Sequence, residues 1–114
     1  MNKYIQKPVK YFIYYRIQDD YKSLDYPNEQ ESDLITHAER HEMPIEAIFY
    51  DIGSEYNQLK QLLLGIRNNE AQGILCLNES ALTQSSSLLP LIQKLINKNK
   101  IKSIIFSEQN HGTK

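Results

Sequence analysis

A chain of 114 residues with 40% apolar and 24% charged residues has room for one hydrophobic core and is too apolar for wholesale disorder. Thirteen basic residues against fourteen acidic ones give a net charge of −1, which excludes a global electrostatic pull toward nucleic acid or an anionic membrane. The lone cysteine, Cys76, has no partner for an internal disulfide, and its apolar setting (ILCL) reads as a buried small hydrophobe. No apolar run is long enough for a membrane span and no signal peptide is evident, so a cytoplasmic protein is expected.

The first element is a strand, VKYFIYYRI (Val9–Ile17), rich in β-branched and aromatic residues. After a polar loop, Asn28 and Glu31 read as a capping box that opens a helix to about His41, with Leu34, Ile35 and Ala38 on its buried side and Pro44 as its stop. The second strand is Ile45–Asp51. Gly53 and Ser54 turn the chain, and Ser54 is placed to cap a helix whose Leu59, Leu62, Leu63 and Ile66 recur at helical spacing. Gly73 precedes the third strand, ILCLN. The loop ESALTQSSS leads to a helix carrying Leu88, Leu91, Ile92, Leu95 and Ile96, with Pro90 tolerated in the first turn if the cap lies near Ser87. The fourth strand is Ile101–Glu108, and NHGTK reads as a frayed tail. Apolar strands alternating with helices predict an α/β fold: a mostly parallel sheet of four to five strands with helices on both faces, in a single domain over 1–114.

In such a fold chemistry collects at the carboxyl ends of the strands, where Arg16, Gln18, Asp51 and the loop around Ser80 fall. Together these segments resemble the catalytic domain of the serine recombinases, the resolvase and invertase family. Tyr14, Arg16 and Ile17 match the family's first strand end, and Ser23, Leu24 and Asp25 recur at the family's distance, with the glutamine that follows delayed to Gln30. The run Phe49 to Ser54 is similar to the family's second strand ending in aspartate. Ser80 to Ser85, followed by LLPLIQKLI, stands where the family carries Asp-Arg-Leu-Ser/Gly-Arg-Ser and a leucine-rich helix.

The departures from that pattern shape the functional expectation. The resemblance puts Gln18 at the nucleophilic serine, Ser80 at the aspartate, and Ala81 and Gln84 at two phosphate-neutralising arginines, leaving Arg16 and Asp51. It therefore implies a degenerate member without catalytic activity, lacking the family's long dimerisation helix and DNA-binding domain. The expected role is a protein-interaction or regulatory module of a mobile element, whose partner could be an intact recombinase. DNA binding is expected to be non-specific at most, and the chain a monomer or weak homodimer. The alternative is a small enzyme or anion-binding domain reusing Arg16 and Asp51.

Other constellations have plainer readings beside the functional ones. His37 and His41 share a helix face but lack a third ligand, so no metal or other cofactor is expected. Lys94, Lys98, Lys100 and Lys102 suit a helix C-terminus and a strand start, and are also a candidate phosphate patch. The turn DIGS ahead of a helix is a weak anion-binding signal. Eight tyrosines are many for this length; some pack the core, while Tyr15, Tyr21 and Tyr56 are candidates for a partner surface at the strand ends.

Overall fold

The computed structural model describes residues 9–17, 29–84 and 86–108. Within them the chain runs β1 (Tyr11–Ile17), α1 (Glu29–Arg40), β2 (Ile45–Ile52), α2 (Asn57–Arg67), β3 (Gly73–Cys76), a helical turn α3 (Ser80–Thr83), a 3₁₀ turn (Ser86–Leu88), α4 (Leu89–Asn97) and β4 (Ser103–Phe106). The four strands form one parallel sheet in the order β2-β1-β3-β4. Each crossover carries helical structure, as parallel neighbours require.

Strand alternation divides the core between the two faces of the sheet. Phe12, Tyr14, Ile74 and Cys76 point to one face, under Leu59, Leu62, Leu63 and Ile66 of α2 and Ile92 and Leu95 of α4. Ile13, Tyr15 and Leu75 point to the other, under Leu34 and Ala38 of α1. β1 is thus buried on both sides, which is why its sequence is continuously apolar and aromatic. Burial also pushes the Cys76 thiol up to about 12, leaving it an inert core residue.

Several boundaries differ from the sequence expectation. β3 stops at Cys76 and β4 spans Ser103–Phe106, both shorter than their apolar runs. Ser54 does not cap α2. That helix starts at Asn57, and its first amides are taken by a carboxylate from the preceding strand: Asp51 accepts from the amides of Gln58 (2.9 Å) and Leu59 (3.0 Å). The segment read as a loop contains α3, and α4 begins at Leu89 with Pro90 in its first turn, where no helical hydrogen bond is lost. Asn28 and the tail lie outside the described residues, while Glu31 accepts a hydrogen bond from the Tyr15 hydroxyl (2.5 Å).

Candidate functional site

The carboxyl ends of β1 and β3 border a cleft of about 410 Å³, lined by Arg16 and Ile17 from β1, Gln30 from α1, Gly53 after β2, Leu77 and Asn78 after β3, and Ser80, Ala81 and Gln84 in and after α3. Parallel strands put their carboxyl ends side by side, so residues up to 68 positions apart meet here. Arg16 is the only cationic group among these lining residues, Ser80 is the only hydroxyl, and none is a carboxylate.

Arg16 is held from behind by a buried network. Tyr14 and Arg16 lie on one face of β1, and the register sets Arg16 beside Asp51 of β2. The guanidinium donates through Nη1 to the Tyr14 hydroxyl (2.7 Å) and through Nη2 to the Gly53 carbonyl. The Tyr14 hydroxyl in turn donates to Asp51 Oδ2 (2.7 Å), which lies 4.0 Å from Arg16 Nη1. Burial, then the Asp51 carboxylate, holds the Tyr14 phenol well above the usual tyrosine range, so it remains a donor. The ring of Tyr56 lies under the guanidinium at 4.6 Å, and its hydroxyl donates to the Gln84 carbonyl (2.9 Å). Gln30 donates to the Arg16 carbonyl (2.8 Å), tying α1 to the strand end. Gly53 has a φ of 61°, a left-handed conformation suited to glycine, and this turn aims its carbonyl at Arg16.

On the far side of the cleft, the Ser80 hydroxyl donates to Asn78 Oδ1 (2.7 Å), and the Asn78 amide donates to Glu108 (2.9 Å). The cleft therefore presents a fixed guanidinium, side-chain amides and a hydroxyl.

The fold thus brings together Arg16, Gln30, Ser80, Ala81 and Gln84 from the candidates. Gln18 and Tyr21, like Ser23, Leu24 and Asp25, lie outside the described residues. Asp51 does not line the cleft. It is 2% exposed and engaged by Tyr14 and two α2 amides, so the expectation of a site built on Asp51 is corrected: its carboxylate is an internal cap.

One of the tyrosines expected at a partner surface is also corrected. Tyr15 is 3% exposed because it faces α1, bonded to Glu31 and stacked on Tyr50, whereas Tyr56 is half-buried, its ring against Arg16 and its hydroxyl bonded to Gln84 near the surface. In the DIGS turn, the Gly53 and Glu55 amides are already bonded to the Ile17 and Ile52 carbonyls, so that turn is no open anion nest.

Lys94, Lys98, Lys100 and Lys102 lie at the opposite end of the sheet, by the amino ends of β3 and β4. The Lys102 amide donates to the Gln72 carbonyl, and Lys100 Nζ to Asn69 Oδ1. They add no charge to the cleft lining. His37 and His41 pack ring to ring with centroids 4.3 Å apart; burial, then the charge of His41 and Arg40, lowers the His37 pKa. No group of three or more metal-ligating side chains accompanies them among the described residues.

Sequence reasoning missed the Tyr14 phenol and the Tyr56 ring as supports of Arg16. The first had a visible signal: Tyr14 and Arg16 are two apart on a strand, hence on one face. No described helix is long and apolar enough to cross a membrane.

No protein-family model matches the chain, and no curated protein matches it. Solved structures do. The C-terminal catalytic domain of ISC1926 TnpA, an IS607-like serine recombinase, superposes with a TM-score of 0.71 at 17% identity, over 90% of this chain and 72% of that one. The N-terminal catalytic domain of TP901-1 integrase superposes with a TM-score of 0.67 at 24% identity, over 87% and 78% of the two chains. This finding overturns the expectation that the chain is not an enzyme, because the structures it matches are catalytic domains. The parallel four-stranded α/β architecture of this chain is the fold of serine recombinase catalytic domains.

Proposed function

We propose that this chain is a recombinase-type domain that receives a phosphodiester group of DNA in the cleft at the carboxyl ends of its strands. The observation that carries the reading is the placement of Arg16. A guanidinium has five N–H donors, and the bonds to Tyr14 and Gly53 use two of them, so the group is oriented in advance with donors to spare. It lines a cleft with no carboxylate among its described lining residues, alongside the side-chain amides of Gln30, Asn78 and Gln84, while the Ser80 proton is already given to Asn78 Oδ1. A phosphate oxygen matches that donor set. The fold shared with serine recombinase catalytic domains supports the choice of DNA over other phosphate carriers.

One cation, partly offset by Asp51 behind it, gives weak binding, on the order of 10⁻⁴ to 10⁻⁶ M at physiological salt. Fluorescence anisotropy with a short labelled duplex measures this directly. Arg16→Lys keeps the charge but loses the fork that reaches Tyr14 and Gly53 together, and is expected to weaken binding by roughly tenfold. A folded Arg16→Lys protein with undiminished affinity would contradict the proposal.

A further inference from the structure

We propose that β2, one of the two edge strands among the described residues, is a self-association surface: it pairs antiparallel with β2 of a second copy, and Tyr50 of each chain seats in an apolar groove of the other. β2 bonds to β1 alone among the described strands and runs for eight residues, longer than the usual strand of about five to six. From Ala47 to Ile52 its pairing with β1 is regular, and the run contains no lysine, proline or bulge, the devices that ordinarily guard an edge.

The hydrogen-bond alternation shows which groups are on offer. The Gly53 amide donates to the Ile17 carbonyl, and the register runs back through Ile17↔Ile52 and Arg16↔Asp51. Bonds along a parallel pair are evenly spaced, so Phe49 and Asp51 turn their backbone groups toward β1, while Ile48, Tyr50 and Ile52 turn theirs outward. The same stretch has exposed apolar side chains: Ile48 is 38% exposed and Tyr50 44%.

Tyr50 and the groove lie on one face of the sheet. Tyr50 stacks on Tyr15 at 5.3 Å, which fixes its ring, and the groove of about 530 Å³ is lined mainly by apolar residues, Ile35, Met43, Pro44, Ile45 and Ile48 among them, with Glu39 and Glu42, on that α1 side. Tyr50 is a protrusion and the groove a recess, one on either side of Phe49. A two-fold axis through Phe49 therefore sets Tyr50 of each copy opposite Ile48 of the other. Each such pair exchanges two backbone hydrogen bonds, with side chains on the same face. Ile52 of the second copy then lies opposite Glu46.

Two other self-pairings are poorer. An axis through Ile48 would oppose Tyr50 to Glu46, where the pairing of β2 with β1 is irregular. Parallel pairing would set Glu46 against Glu46. The occupant is a second copy because the strand supplies both halves of the contact, so one operation satisfies both grooves.

Sedimentation equilibrium of the full chain, with far-UV circular dichroism to confirm folding, tests this. The wild-type protein should dimerise reversibly, and the amides of Ile48, Tyr50 and Ile52 should gain hydrogen-exchange protection as protein concentration rises. Ile48→Lys and Tyr50→Glu should each weaken the dimer by roughly tenfold or more. Should one variant misfold, the other and the wild-type exchange pattern decide the matter. A wild-type chain that stays monomeric up to about 1 mM would overturn the proposal. So would a dimer indifferent to the folded variants, or protection appearing elsewhere than at β2.

Discussion

Asp51→Ala is expected to destabilise the protein by about 3–5 kcal/mol, the usual cost of removing one partner of a buried charge pair. The carboxylate is 2% exposed, receives the Tyr14 hydroxyl and the first free amides of α2, and lies 4.0 Å from the Arg16 guanidinium. Alanine leaves a buried phenol and two helix-terminal amides without their acceptor, and a largely buried cation without its counter-charge. In the Asp51→Asn protein the side-chain carbonyl can still accept from the helix, so the loss should be smaller and should come chiefly from the uncompensated Arg16. Urea unfolding of both variants measures the difference. A loss below about 1 kcal/mol for Asp51→Ala would show that the network contributes no more than an exposed ion pair.

Alkaline conditions should unfold the protein more steeply than its carboxylates and lysines alone would suggest. Burial, then the carboxylates of Asp51 and Glu31 respectively, raise the Tyr14 and Tyr15 pKa values above the ordinary tyrosine value of 10.0. A pKa raised in the folded state means that the native protein holds these protons more tightly than the unfolded chain. The stabilisation is complete below pH 10 and declines as pH rises toward the folded values. Above pH 10 each tyrosine should add up to about 1.4 kcal/mol of lost stability per pH unit. Tyr14→Phe and Tyr15→Phe should each flatten the decline, at the cost of a hydrogen bond at neutral pH. Denaturant melts between pH 9 and pH 11, compared for the three proteins, check this; identical slopes would refute the assignment.

The strands were legible because each is a short apolar run bounded by turn residues, and α2 because Leu59, Leu62, Leu63 and Ile66 share a face. The site was legible in part. Arg16 at a strand end, Ser80 and Gln84 after another, and a parallel sheet that gathers such ends are enough to foresee a cleft. What sits behind the cleft was not legible, because it depends on long-range partners. Asp51 became a helix cap because β2 ends pointing at the start of α2, displacing the local candidate Ser54. By its residue type Tyr15 suits both a core and a surface; only Glu31, 16 residues away, turns its hydroxyl inward. Local sequence carries no record of such pairings. Missing family side chains point to inactivity, yet two of those positions, Ser80 and Gln84, line the same cleft as Arg16.

The reading of the cleft as a phosphodiester site is tested most directly by mapping where a short DNA duplex touches the isotope-labelled protein at physiological salt. The side-chain amides of Gln30, Asn78 and Gln84 and the backbone around Arg16 and Ser80 should shift together and saturate with one apparent affinity. Shifts confined to Lys94, Lys98, Lys100 and Lys102, with the cleft unmoved, would contradict it and place any DNA contact at the opposite end of the sheet.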